Sequence, residues 1–324
     1  MSKLLAIAIP TYNRASELQI ILENLISQIT ERYEELIEIV VSDNASNDKT
    51  LNVLTSFQSK NPTVIRYFVN EQNIGFGKNI QSLLDNISAE YVWFCGDDDV
   101  LYDGIVEKII NVLNSGCFGN ILINYEADPE GMCMNLQNDT ITNDLSEFFK
   151  ITQNNCGFMT ANIFRRELVQ EAKFSSLTWY HYDKLINFPY ETKSYIISKP
   201  YIFVVRPNTN NWFSYKNKFL FNVEIIEAIL NSSLSVETKS QLITLHKLTT
   251  FKFLKMCKKY CKEEIDFTLI YEKFALMRKN GLHFPFFLRA IKSKYCYGLL
   301  YYLYKLCKNT RYFSYSLRNL KYEE

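Results

Sequence analysis

The 324-residue sequence has no run of about 18 apolar residues, the length an α-helix needs to cross a bilayer, so no transmembrane helix is expected. Its opening residues, MSKLLAIAIPTYNR, carry too short an apolar stretch before Pro10 to read as a secretory signal. None of the eight cysteines forms a C-x-x-C pair, and no Cys/His cluster has zinc spacing. The cysteines therefore read as reduced, small apolar residues of a cytoplasmic protein. No internal repeat or low-complexity tract is present. The net charge of +1 by itself points to no partner. What is present is apolar mass: 47% hydrophobic residues can bury a real core, which excludes wholesale disorder. The length suits one large domain with an appendage, or two domains.

The charge is unevenly spread. Residues 1–215 hold 16 Lys+Arg against 26 Asp+Glu, a balance of −10, whereas residues 216–324 hold 20 against 9, a balance of +11. A basic second part suggests contact with a membrane or a nucleic acid. Its most unusual stretch is YCYGLLYYLY, residues 295–304, bracketed by Lys294 and Lys305. Ten such residues are too few to span a bilayer, but aromatics with flanking cations suit its interface. The aromatics alternate with aliphatics and form no base-stacking module, so no nucleic-acid partner is expected. A helical region packed on the rest of the chain, or a homo-oligomer contact, is the competing reading of the same residues.

The first part alternates strands and helices. LLAIAI, residues 4–9, is a continuous apolar run ended by Pro10, as in a strand buried on both faces. Leu18, Ile21, Leu22, Leu25, Ile26 and Ile29 recur on one helical face, with Ser16 and Gln19 spaced as a capping box. LIEIVVS (36–42), VIRYFV (64–69), YVWFC (91–95) and ILIN (121–124) read as further strands, separated by amphipathic helices. This order predicts an α/β domain with a mostly parallel sheet. Ligands of such sheets bind beyond the carboxyl ends of the strands. The polar clusters fall there: Thr11–Arg14, Asp43–Asp48 and Asp97–Asp99.

Three adjacent carboxylates repel one another and do not belong in an apolar core. A hard divalent cation such as Mg²⁺ or Mn²⁺ would neutralise them while bridging to substrate phosphates; a solvated acidic loop is the plainer alternative. Taken together, IPTYNR, VSDNASNDKT, the N-x-G-x-x-x-N of Asn73, Gly75 and Asn79, and WFCGDDD occur in an order that resembles the family-2 glycosyltransferases of GT-A fold. The resemblance spans roughly residues 4–205. The WFCGDDD form is similar to bacterial surface-polysaccharide enzymes, including the abequosyltransferase-like group.

The resemblance implies a fold and a set of roles. The fold is a Rossmann-like, mostly parallel sheet flanked by helices, over residues 1–215. Residues 1–100 would form its nucleotide half and 101–215 its acceptor half, followed by a basic, aromatic-rich helical region over 216–324. Pro10, Thr11, Tyr12 and Arg14 would line the nucleotide pocket. Asp43 would accept a hydrogen bond from the base, with Ser46 beside it. Asn73, Gly75 and Lys78 would run near the nucleotide and its phosphates, with Asp97 near the ribose and Asp98 in the same donor-binding loop. Asp99 would hold Mn²⁺ or Mg²⁺, with Asp98 and Asp97 as alternatives. Many members read D-x-D-D where this chain has Gly96-Asp97-Asp98-Asp99, so glycine replaces the first carboxylate.

Inverting sugar transfer also needs a carboxylate to deprotonate the acceptor hydroxyl. After GFMTANIFRREL, residues 157–168, comes WYHYDKLIN, which makes Asp183 the candidate base and Glu191 the alternative. His181 would orient base or acceptor. The implied activity is transfer of a sugar from a nucleotide-sugar donor, a UDP-sugar being the commonest in the family. The acceptor would be a lipid-linked or growing bacterial surface glycan, at the inner face of the cytoplasmic membrane. Two other functions compete: an inactive nucleotide- or glycan-binding scaffold, and a nucleotidyltransferase. The latter would show a glycine-rich basic loop where this chain has IPTYNRASEL.

Overall fold

The computed structural model describes residues 2–127, 131–132, 134–152, 155–171 and 192–204, and, beyond these, residues 229, 232, 234–239 and 242. The chain divides into two compact units, Met1–Thr209 with Asn231–Leu242, and Asn210–Leu230 with Ile243–Glu324. The described residues belong almost wholly to the first. Its elements run in the order β1 (Leu5–Thr11), α1 (Ala15–Gln28), α2 (Glu31–Glu34), β2 (Ile37–Asp43), α3 (Thr50–Lys60), β3 (Ile65–Val69), α4 (Phe76–Asp85), β4 (Tyr91–Phe94), β5 (Val100–Leu101) and α5 (Ile105–Ser115). There follow β6 (Asn120–Ala127), β7 (Gly131–Met132), β8 (Thr140–Thr142), α6 (Leu145–Thr152), a 3-10 turn at Met159–Ala161, β9 (Asn162–Arg165), α7 (Arg166–Glu171) and β10 (Ser194–Val204).

The strands form one sheet in the order β3-β2-β1-β4-β9-β6-β10-β5, with β7 on β6 and β8 on β10. β1, β2, β3 and β4 are mutually parallel. β9 runs antiparallel to both β4 and β6, so β4 and β6 point the same way. β10 is parallel to β6. The carboxyl ends of β1 to β4, β6 and β10 therefore share one rim.

The apolar runs become β1 and β2 because every one of their positions is buried. Leu5, Ile7 and Ile9 pack with Ile37, Ile39 and Val41 in the main core, together with Leu18, Ile21, Leu22 and Leu25 of α1. The alternate residues Ala6 and Ala8 turn to the other face. Their small side chains leave room for α4, which lies along β1 and β2.

Two local expectations are corrected. β1 does not stop at Pro10 but runs through it to Thr11. Pro10 pairs with Ser42, beyond Ala8–Phe94, the last β1–β4 pair, so no ladder bond is lost on that side. The Ser16–Gln19 capping box is absent: α1 begins one residue before Ser16, its N-cap is Arg14, and no side chain within the helix caps it. Asp48 does so from the loop after β2, its Oδ2 accepting the Ala15 N–H at 3.1 Å. Among the described residues no helix is long and apolar enough to cross a membrane.

Candidate functional site

The loops after β1, β2, β3 and β4 meet on the shared rim, and side-chain hydrogen bonds tie each to another. In the β1 loop Asn13 takes a positive φ of 51°, and Ala45 in the β2 loop takes 63°. The two loops interlock there: Asn13 N–H donates to Ser46 Oγ at 2.8 Å, and Asn47 N–H donates to Asn13 Oδ1 at 2.8 Å. Asp43, 1% exposed, accepts the Ser46 N–H on Oδ1 at 3.0 Å. Its Oδ2 is buried and accepts no hydrogen bond among the described residues. A buried acceptor oxygen left open is costly, and it suits an N–H group brought by a ligand.

The β2 and β3 loops are joined by amides. Asn44 Oδ1 accepts from Asn70 Nδ2 at 3.1 Å and from the Ile74 N–H at 3.0 Å, and its Nδ2 donates to Asn73 Oδ1 at 2.9 Å. Asn73 Oδ1 also receives the Gly75 N–H at 2.9 Å. Gly75 has φ 81° and leads directly into α4, a backbone setting that favours glycine. Asn79 is 2% exposed and accepts Asn70 Nδ2 at 2.9 Å. Lys78 stands exposed in the first turn of the same helix.

The acidic loop departs from its expected exposure. Asp97 and Asp99 are only 6% and 7% exposed, and Asp98 is half-buried. Partners from distant loops make this tolerable. Thr11 Oγ1 donates to Asp97 Oδ2 at 2.8 Å, and Arg14 Nη1 donates to Asp97 Oδ1 at 2.9 Å and also to Asp98. Thr160 Oγ1 donates to Asp99 Oδ2 at 2.5 Å. Burial nonetheless pushes Asp97 up to about 6, against the opposing pull of Arg14. Burial likewise pushes Asp99 up to about 7; Thr160 opposes this, and the charges of Asp98 and Asp97 add to it. One guanidinium therefore does not balance three carboxylates.

Among the described residues no group of three or more His, Cys, Asp or Glu side chains is arranged to hold a metal ion. Arg14 takes two of the aspartates and Thr160 takes the third. The donor chemistry still fits a hard divalent cation, since the loop offers only carboxylate oxygens and has excess negative charge.

The structure thus brings Pro10, Thr11, Tyr12, Arg14, Asp43, Ser46, Asn73, Gly75, Lys78, Asp97, Asp98 and Asp99 to adjoining strand ends, loops and the start of α4 on one rim. Arg14, expected to line the nucleotide pocket, spends its guanidinium on Asp97 and Asp98. Asp183, Glu191 and His181 lie outside the described residues, as does the tail from residue 243. Sequence reasoning gave Asn44 and Asp48 no role beyond the polar cluster Asp43–Asp48, and it overlooked Thr160 and Asn70. Asn44 was signalled by the polar turn it shares with Asp43. Thr160 carries no local signal, because its partner lies 61 residues away.

Residues 6–171 match the family model described as glycosyl transferase family 2. The GalNAc(5)-diNAcBac-PP-undecaprenol beta-1,3-glucosyltransferase of Campylobacter jejuni is 27% identical over 283 residues, covering 83% of this chain and 86% of that protein. Among solved structures, S. aureus TarS 1–349 in complex with UDP-GlcNAc superposes with a TM-score of 0.65 at 19% identity, over 81% of this chain and 76% of that one. The mannosyltransferase PcManGT of Pyrobaculum calidifontis, in complex with GDP-Man and Mn²⁺, gives a TM-score of 0.56 at 13% identity, over 95% of this chain and 88% of that one. At these identities the two structures speak for the fold, which is GT-A.

Proposed function

The chain belongs to glycosyl transferase family 2, and on that premise we propose that it is an inverting, divalent-metal-dependent enzyme moving one sugar from a UDP-sugar to a lipid-linked or growing bacterial surface glycan. The observation that carries this reading is the meeting of three loops on one rim: the open Asp43 carboxylate, the Thr11–Arg14 segment, and the acidic Asp97–Asp99 loop. Asp43 Oδ2 would accept an N–H of the base. The loop of Asn73 and Gly75, with Lys78, would follow the diphosphate. Asp99, with Asp98 and Asp97 as alternatives, would hold Mn²⁺ or Mg²⁺, which as a Lewis acid stabilises charge on a departing diphosphate.

In the transfer itself the acceptor hydroxyl oxygen attacks the anomeric carbon from the face opposite the leaving group. Asp183 takes the hydroxyl proton, with Glu191 the alternative carboxylate and His181 orienting it. The bond from the anomeric carbon to the diphosphate breaks, and the nucleoside diphosphate leaves with that electron pair. A lipid-linked acceptor is supported by the name of the Campylobacter relative. It also accords with the +11 balance of residues 216–324, a charge suited to the anionic inner face of the cytoplasmic membrane.

The test is a donor panel. The protein is incubated with Mn²⁺ and a series of nucleotide sugars, and nucleoside diphosphate release is measured with and without excess chelator. Release from a UDP-sugar that stops with chelator and returns with Mn²⁺ or Mg²⁺ supports the proposal. Full activity in chelator removes the metal, and silence across every donor favours an inactive binding scaffold.

A further inference from the structure

The geometry points to Thr160 as the positioning residue of the acidic loop, acting on Asp99 through a space that only glycine at position 96 leaves open. Thr160 is fully buried in the short turn before β9. Its hydroxyl accepts the Gly96 N–H at 2.9 Å and lies 2.5 Å from Asp99 Oδ2. A hydroxyl has one proton. Because the Gly96 N–H can only donate, that proton is directed to Asp99, and the contact is fixed in polarity as well as place. The Thr160 carbonyl in turn receives Trp93 Nε1–H at 2.7 Å, which pins the turn to fully buried β4.

Gly96 completes the unit. A Cβ built there would stand 2.5 Å from Asp99 Oδ2 and 3.3 Å from Thr160 Oγ1. Any side chain at 96 would push the carboxylate off the hydroxyl. In this chain the space that a side chain at 96 would fill is left to seat Asp99. Oδ2 is committed to Thr160, and Oδ1 accepts no hydrogen bond among the described residues and is left for an ion. The turn that carries Thr160 leads into β9 and α7, so the orientation of Asp99 is set from outside its own loop.

The inference rests on the metal reading given above, and the test separates the two. Mn²⁺ binding is titrated in the presence of UDP by the loss of the free-ion EPR signal, for wild type, Thr160→Val, Thr160→Ser and Gly96→Ala. UDP affinity in chelator is measured alongside. Partners that orient a metal ligand typically contribute about 10–100-fold to metal affinity. Thr160→Val should therefore weaken Mn²⁺ by about that factor, and Thr160→Ser, which keeps the hydroxyl, should return to within about threefold of wild type. Gly96→Ala leaves Thr160 intact and displaces Asp99 from the other side. It should reproduce the loss with metal-free UDP affinity unchanged, and it decides the matter if the valine variant does not fold. Wild-type Mn²⁺ affinity in Gly96→Ala, or a serine variant as weak as the valine one, overturns the positioning role. A wild-type protein that binds no Mn²⁺ with UDP overturns the metal reading itself, and the inference with it.

Discussion

The acidic loop should make the metal-free protein less stable at neutral pH than in mild acid, and Asp99→Asn should remove much of that cost. Burial holds Asp99 at about 7 in the folded protein, against a reference value of 3.8. The sign follows from linkage. Well below pH 3.8 the carboxyl is protonated in both states and costs nothing. As pH rises from 4 to 7 the unfolded chain ionises first, and folding must hold a proton against solution. Above 7 the cost is complete. At 1.36 kcal/mol per unit it comes to roughly 4 kcal/mol for Asp99. By the same reasoning Asp97, at about 6, costs roughly 3 kcal/mol. The two share their mutual repulsion, so they do not add. Asparagine keeps the shape of Asp99 and an oxygen for the Thr160 hydroxyl, but carries no charge. Urea denaturation in chelator should therefore find Asp99→Asn more stable than wild type by roughly 2–4 kcal/mol at pH 8 and nearly equal to it at about pH 3. Sugar transfer by this variant should be lost, a trade of activity for stability. An Asp99→Asn protein less stable than wild type at pH 8, or a difference that does not change with pH, would refute the reasoning.

Four further outcomes follow. Asp43→Ala should weaken UDP binding about tenfold by calorimetry, the value of one hydrogen bond to a buried carboxylate, and unchanged affinity would place the base elsewhere. Asn44→Ala deletes three side-chain hydrogen bonds at about 1 kcal/mol each; it should lower stability by about 2–3 kcal/mol, and a change below about 0.5 would show that the β3 loop does not depend on it. Asp183→Asn should leave UDP affinity intact and lower turnover roughly 10²–10⁴-fold, whereas loss of turnover in Glu191→Gln alone would move the base there. The full chain should sediment with anionic liposomes far more than with neutral ones, at about 1 kcal/mol per surface-facing Lys or Arg, and equal recovery from both would remove the electrostatic argument for the tail.

The strands legible in the sequence are those whose environment is uniform along their length. LLAIAI is apolar throughout, and LIEIVVS is interrupted only by Glu38 and Ser42, because β1 and β2 are covered on both faces, and the period of α1 is plain because one face of it is buried. β5, β9 and β10 escaped notice for different reasons. β5 is two residues long and directly follows the aspartates. β9 gains its place by inserting antiparallel between β4 and β6, a long-range pairing with no local signature. β10 contains Pro200, and its register with β6 shifts on either side of that residue, so the alternation a strand should show is broken.

The acidic loop shows why motif and environment are separate kinds of information. GDDD reads the same whether it is solvated or enclosed, and local sequence favours the solvated form because adjacent carboxylates repel. What encloses it comes from elsewhere in the chain: Arg14 lies 83 residues from Asp97, Thr11 lies 86 from it, and Thr160 lies 61 from Asp99. These partners arrive only because β1 is parallel to β4 and β9 is paired beside it. The same sheet that hides the aspartates also leaves them short of positive charge, with one arginine among three carboxylates. A site built this way owes its excess of negative charge to the fold around it, and the strands that enclose it carry no trace of that cost in their own sequences.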